Sequence, residues 1–356
     1  MIRFFLTFCI LLSCLSAPVD ALSQTKNDTL VVCLGKARPK SLDPAVSNTR
    51  QVLTLYHNWG DTLLYRGPVT GKIVPGLARS YRILDNGDME LTLRKGVRFH
   101  NGEPFNGAAV KFSLDLLKKS DSRVSRYLKG IKDVVVLDDY RIRIEVVKPI
   151  PTFSQLIANV LFIYPPGYYQ KVGKKGFGRH PVGTGPYRLV SNEGFTEMNF
   201  ERNYRYFGGP KGIAKIPKLK IRIIKETIPQ MEALISGKVD LMRSGCVNPE
   251  QVPFLKQADQ VKILSTDILR VYFMVMDAQG RSGETPFKDK KVRQAVNYAI
   301  DREKIIREAF NGFAVSSDSV VSPLHFGYEN RVTRYPYDPA RARKLLAEAG
   351  YATGFD

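Results

Sequence analysis

Residues Lys72–Leu117 read KIVPGLARSYRILDNGDMELTLRKGVRFHNGEPFNGAAVKFSLDLL. Tyr81, Ile83 and Leu84 make a first strand, which stops at Asp85-Asn86-Gly87-Asp88. Asn-Gly is a strong hairpin signal because both residues tolerate positive φ. Met89, Leu91 and Leu93 then alternate with Glu90, Thr92 and Arg94, the period-two pattern of a half-buried strand. Asn101-Gly102 predicts a second turn. Ala108, Val110, Phe112, Leu114 and Leu117 open a helix.

Upstream of this stretch, Thr29–Gly35 (TLVVCLG) predicts a buried strand. It runs into the polar, proline-punctuated loop Lys36–Pro44, where Asp43 suits a cap. Gln51–Trp59 is helical in pattern, with Val52, Leu53, Tyr56 and Trp59 on one side, which makes Trp59 a core residue. Downstream, Val134–Leu137 and the alternating Arg141–Val146 are strands, and Phe153, Leu156 and Ile157 start a helix. Pro165-Pro166-Gly167 is expected to end that unit. Lys218–Ile224, a helix around Gln230–Ser236 and Val239-Asp240-Leu241 follow in β-α-β order, which suits a mixed α/β sheet. Val261–Leu264 and Leu269–Met276 are the next expected strands. Asp289 caps a helix with Val292, Ala295, Val296, Ala299 and Ile300 on its apolar stripe. Asp301 caps another, expected to bury Ile305, Ile306, Ala309 and Phe310 and to stop at Asn311-Gly312. Asp338 caps the last helix, Pro339–Ala349, which Gly350 ends.

Four stretches carry a resemblance. They are the opening PGLA–hairpin–LRKGVRFHNG–helix segment, Pro181–Tyr187 (PVGTGPY), Pro286–Ile306 (PFKDKKVRQAVNYAIDREKII) and Tyr337–Tyr351 (YDPARARKLLAEAGY). Together they resemble the extracellular solute-binding proteins of ABC transporters, family 5, the oligopeptide/dipeptide/nickel-binding class. The resemblance implies an α/β fold of the two-lobed periplasmic-binding-protein type (class II, cluster C-like) with an inserted α/β subdomain. It divides the chain into a signal peptide (1–21), a discontinuous lobe I (22–44 and 170–265), an inserted subdomain (45–169) and the start of lobe II (266–356). Family members continue well beyond the position of Asp356. The expectation is therefore a C-terminal truncation, with lobe II incomplete, the family's usual aspartate for the peptide α-amine absent, and no strand to cover Leu345 and Leu346. Phe207 replaces the family's usual Trp. Ala109 stands where many members have Asp, as in the glutathione-binding subgroup, and Asp277 where many have Asn, adding a negative charge near hinge and cleft.

Charge and export are consistent with this class. Lys+Arg exceed Asp+Glu to give a net charge of +20, spread along the chain with mild clusters at Lys171–Lys175 and Lys211–Lys220. Net charge speaks to non-specific association and not to fold. No helix-turn-helix, zinc-finger or RNP pattern accompanies it, so no nucleic-acid partner is expected. Met1-Ile2-Arg3, an apolar Phe4–Leu15 and Val19-Asp20-Ala21 read as a signal peptide cleaved after Ala21. A lipobox-like Leu11-Leu12-Ser13-Cys14 offers the alternative of a lipid anchor at Cys14. The expected location is periplasmic, with the membrane reached only through the transporter or such an anchor. Cleavage leaves Cys33 and Cys246, either as a disulfide that an oxidising compartment permits or as two buried thiols.

No chemistry of catalysis is visible. There is no G-x-S-x-G elbow and no H-E-x-x-H, and Ser23–Lys26 fits S-x-x-K only in the expected N-terminal tail. His57, His100, His180 and His325 show no close-spaced pair of metal-ligand type, and His100 looks structural within its turn. The chain is expected to be no enzyme and to take no metal or cofactor. The resemblance implies a monomeric substrate-binding component that captures short peptides and delivers them to the permease subunits of an ABC importer. Its cleft positions are Lys36, Ser41 and Asp43 in the first loop and Phe273 and Val275 in the strand entering lobe II. The alternative for Phe273 and Val275 is ordinary strand packing. Other readings are a binder of glutathione or another small non-peptide solute, a non-functional truncated paralogue and, in a different class, an exported cationic cell-wall or nucleic-acid binder.

Overall fold

Strand β1 (Thr29–Cys33) is followed by helix α1 (Arg50–Trp59) and the short strands β2 (Leu64–Arg66) and β3 (Ile73–Pro75). Then come β4 (Ala78–Ile83), β5 (Met89–Leu93), α2 (Gly107–Lys118), α3 (Arg123–Tyr127), β6 (Ile131–Asp138), β7 (Arg141–Val146) and α4 (Phe153–Val160). The chain continues through α5 (Pro166–Arg179), β8 (Tyr187–Glu193), β9 (Glu197–Arg202), β10 (Lys218–Arg222), α6 (Thr227–Ile235) and β11 (Leu241–Met242). The last elements are the helices α7 (Val252–Leu255), α8 (Lys290–Ala299), α9 (Arg302–Phe310) and α10 (Pro339–Glu348). The structure is a computed structural model that describes residues 28–35, 38–47, 49–67, 70–243 and 246–355. The expected signal peptide, Cys14 and Lys36 lie outside the described residues.

Two sheets carry the fold. The five-stranded sheet has the order β11-β1-β10-β9-β8, and the four-stranded sheet the order β4-β5-β7-β6. β1 runs parallel to both of its neighbours, β10 and β11, whereas β9 is antiparallel to β10 and β8. The four-stranded sheet is antiparallel throughout. Its first hairpin closes at Asn86-Gly87: the Gly87 φ is 88°, and the Leu84 N–H donates to the Asp88 carbonyl at 2.8 Å. Met89, Leu91 and Leu93 are buried on one face of β5, as the alternation predicts. The Asn106 side chain caps α2 by accepting from the Ala109 N–H at 3.1 Å. One continuous apolar core runs from Val32, Phe200 and Ile221 of the first sheet, through Trp59 and Phe177, to Leu114 of α2 and to Leu91 and Ile144 of the second sheet. Each such fully buried large side chain contributes about 1.5–3 kcal/mol.

Four expectations are corrected. Val261–Leu264 and Leu269–Met276 form no ladder. A strand is held by backbone hydrogen bonds to a neighbour, and no strand among the described residues lies beside either segment. Pro165-Pro166-Gly167 starts a helix: Pro166 occupies the first turn of α5, where its missing N–H is no loss. In α9, capped by Asp301 as expected, no residue is buried, and Ile305 lies open because nothing described packs over that face. Leu345 and Leu346 are partly covered, since α10 lies against α8 around Ala295, Tyr298 and Ala342. The Asp289 and Asp338 caps and the left-handed stop at Asn311 are as the sequence reads.

Candidate ligand site at the carboxyl edge of the five-stranded sheet

The sheet order reverses at β1. The chain leaves β10, passes through α6 and returns on the other side of β1 as β11. In open α/β sheets, crevices at the carboxyl ends of strands, where the order reverses, receive ligands. Two backbone hydrogen bonds tie the three carboxyl ends together here, Leu34 N–H to the Arg222 carbonyl at 3.1 Å and Arg243 N–H to the Cys33 carbonyl at 3.4 Å. The loop leaving β1 at this edge carries Ser41 and Asp43.

Both of those residues are buried and turned into the protein. Asp43 is fully enclosed. Its Oδ1 accepts from the Ala45 N–H at 2.8 Å and from the Tyr164 hydroxyl at 2.8 Å, and its Oδ2 accepts from the Tyr169 hydroxyl at 3.1 Å. Burial pushes the Asp43 carboxyl up from its ordinary range against these hydrogen bonds. The Tyr164 and Tyr169 hydroxyls are raised by burial and by the neighbouring Asp43 charge, so they stay protonated donors. The Ser41 hydroxyl accepts from the Asp43 N–H at 3.1 Å, and the Leu42 N–H bonds the Gly178 carbonyl at 2.8 Å. A side chain at Gly178 would collide with Ser41. Ser41 and Asp43 therefore fix the path of the loop.

Phe273 and Val275 are 62% and 80% exposed, with Tyr272 before them and Met274 between them also open. In a half-buried strand, alternate residues would be covered. Here both sides of the segment face solvent. Among the described residues, no hydrogen bond or ring contact joins Phe273 or Val275 to Ser41 or Asp43, so the structure does not bring the two pairs together. The Asp277 carboxylate is engaged locally, accepting from the Ser282 hydroxyl and N–H and from the Gln279 N–H, and these bonds hold it below the usual carboxylate range. Two grooves among the described residues lie elsewhere. One lies over the outer face of the four-stranded sheet, by Arg82, Glu90 and Arg143, and the other between Val252, Arg307 and Phe313. No group of three or more His, Cys, Asp or Glu among the described residues could hold a metal ion.

A buried polar cluster near the opposite edge, where β10 enters the sheet, escaped the sequence reading. The Lys211 ammonium lies 2.7 Å from Asp61 and donates to the His57 and Gly60 carbonyls at 2.7 and 2.6 Å. The Thr184 hydroxyl donates to the other Asp61 oxygen at 2.8 Å, and the Tyr206 hydroxyl donates to Asp61 at 3.3 Å. Thr184 belongs to the PVGTGPY motif. Gly183 and Gly185 of that motif press against the backbone of Trp59, so that a Cβ at Gly185 would lie 2.5 Å from the Trp59 carbonyl carbon. His100 N–H bonds the Gly183 carbonyl at 2.8 Å, and its Nε2 meets the Gly185 carbonyl at 3.0 Å. The only sequence signal for the cluster was the glycine spacing, since its members come from distant segments. These groups are closed to solvent and act as a brace.

This architecture, a mixed α/β sheet with an antiparallel sheet inserted between its strands in sequence, is of the periplasmic-binding-protein type. The family model of the bacterial extracellular solute-binding proteins, family 5, middle region, matches residues 72–356, and the chain belongs to that family. The chain is 32% identical over 289 residues to the glutathione-binding protein GsiB of Salmonella choleraesuis strain SC-B67. That match covers 80% of this chain and 54% of GsiB, so the chain spans about half the length of the curated relatives it matches. HbpA2 from Haemophilus parasuis superposes with a TM-score of 0.76 at 25% identity, over 92% of this chain and 68% of HbpA2. The periplasmic binding protein DppA from Helicobacter pylori, solved with the peptide STSA, gives 0.75 at 27% identity, over 92% and 67% of the two chains. The fold is thus the α/β, two-lobed binding-protein type, and the family is one of transport components and not of enzymes.

Proposed function

We propose that the chain captures short peptides or peptide-like solutes, glutathione included, outside the cytoplasmic membrane and hands them to the permease of an ABC importer. The carrying observation is the reversal of strand order at β1 in a chain of this family, which leaves an open carboxyl edge with a braced loop beside it. The names of GsiB and of peptide-bound DppA favour an amide-containing ligand with charged ends. Loop backbone groups and basic side chains at this edge suit hydrogen bonds to a peptide backbone and a terminal carboxylate. The division into lobe I, inserted subdomain and lobe II belongs to the same proposal, with the segment of Phe273 and Val275 crossing between lobes that close on ligand. Lys36, Ser41 and Asp43 then form and shape the wall on the lobe I side.

Equilibrium binding of a fluorescent tripeptide to the chain tests this reading. Saturable binding displaced by unlabelled di- to pentapeptides or glutathione, and not by single amino acids, is the expected result. Binding displaced by salt and DNA but not by peptides would replace this reading with that of a cationic polymer binder.

A further inference from the structure

We propose that Cys33 and Cys246 form a disulfide that staples β11 and the chain following it to the end of β1. The two residues lie 213 positions apart in sequence, yet the Cys246 thiol donates to the backbone carbonyl of Cys33 itself at 3.3 Å. The local backbone brings them together. Cys33 pairs with Met242 across the β1–β11 ladder. The chain then turns back, with the Cys246 N–H on the Arg243 carbonyl at 3.0 Å and the Arg243 N–H on the Cys33 carbonyl. Both thiols are buried and free in this structure, in a small apolar cluster with Ala233 and Val239. A thiol in contact with the backbone of the other cysteine brings the pair into the neighbourhood that a disulfide requires.

The chemistry is thiol–disulfide exchange with an external disulfide. The Cys33 thiolate attacks one sulfur of the oxidant, forming a mixed disulfide and expelling a thiolate. The Cys246 thiolate then attacks the Cys33 sulfur and expels the second oxidant thiolate. Two electrons pass to the oxidant, and the two thiol protons end on its sulfurs. The hydrogen bond from Cys246, with backbone hydrogen bonds from Gly35 and Ile224 and the Arg222 charge, holds the Cys33 thiol below its ordinary value despite burial, which favours it as the attacking group. Burial leaves access to the oxidant during folding or when the two-residue edge strand β11 opens.

The staple acts where the sheet is weakest. β11 is an edge strand with only Leu241 and Met242 in the ladder, and the chain departs from it toward α7. In the cell the linkage rests on the proposed extracytoplasmic location, because an oxidising compartment supplies the oxidant. Its chemical competence does not, so the test is made on the purified full chain, equilibrated across ratios of oxidised to reduced dithiothreitol, alkylated and digested without reduction. A peptide linked through Cys33 and Cys246, with loss of two alkylation sites, is the expected result. The oxidised chain should melt on the order of 5–10 °C above the reduced one. Alkylation of both Cys33 and Cys246 at every ratio, linkage of either to Cys9 or Cys14 instead, or an unchanged melt of the linked species would each overturn the proposal. Because no solute enters the measurement, its outcome is independent of whether the chain binds peptides.

Discussion

At the residue scale, function and stability compete for the same polar side chains. Asp43 has the loop position of a ligand group, and its carboxylate is wholly consumed by Tyr164, Tyr169 and Ala45. His100 is a clearer case. Burial pushes its imidazole down to about 4, and His57 is pushed down to about 4 by burial and by the Lys211 charge. Their stabilising contribution is fully present above the unfolded histidine pKa of about 6.5. It is lost as pH falls toward 4, because the unfolded chain takes up protons that the folded chain refuses. Each imidazole accounts for up to roughly 3 kcal/mol over that window. Denaturant unfolding between pH 7 and pH 4.5 should therefore show falling stability. His100→Gln should flatten the slope by about half, and an unchanged slope would contradict this assignment.

At the element scale, turns and caps were the most legible features. The Asn86-Gly87 hairpin, the Asp289, Asp301 and Asp338 caps and the αL stop at Asn311 each depend on one or two local residues, so a local reading suffices. The laddering of Leu269–Met276 was not legible, because β pattern describes a strand's faces and says nothing of whether a partner is present. The Asp61–Lys211–Thr184 brace was hidden for a related reason: its members meet only after the chain has folded. Ser41 and Asp43 could be placed in the loop leaving β1, but their inward direction was not legible. The PVGTGPY motif was recognised as a fixed backbone path, and the contact that fixes it is Trp59. Gly185→Ala should accordingly cost about 2–4 kcal/mol in a urea melt, as overpacking against rigid backbone does. Gly96→Ala, at a site with open space, should cost only about 1 kcal/mol from its positive φ. Equal losses at the two sites would contradict the close approach to Trp59.

At the scale of the whole molecule, order is unevenly distributed. The large core joins both sheets, whereas α8 and α10 meet in a small cluster of Ala295, Tyr298 and Ala342 with Leu345 and Leu346 partly covered. The segment between them and the sheet carries Tyr272, Phe273, Met274 and Val275 in the open. Hydrogen exchange should show it. The amides of Leu269–Met276 should exchange within seconds, while those of β5 and β7, laddered on both sides of β5, should be protected by orders of magnitude more. Comparable protection in the two segments would show that the open segment is paired in solution.

The shared core has one more consequence, for how such a protein can be rearranged. Because Trp59, Phe162 and Phe177 fill the space between the two sheets, the antiparallel sheet is no bolt-on cassette. Excising it would lay bare the inner wall of its neighbour, and transplanting it would carry half of an interior into water. At the rims of both sheets, by contrast, a loop can lengthen or change its chemistry without reopening the interior.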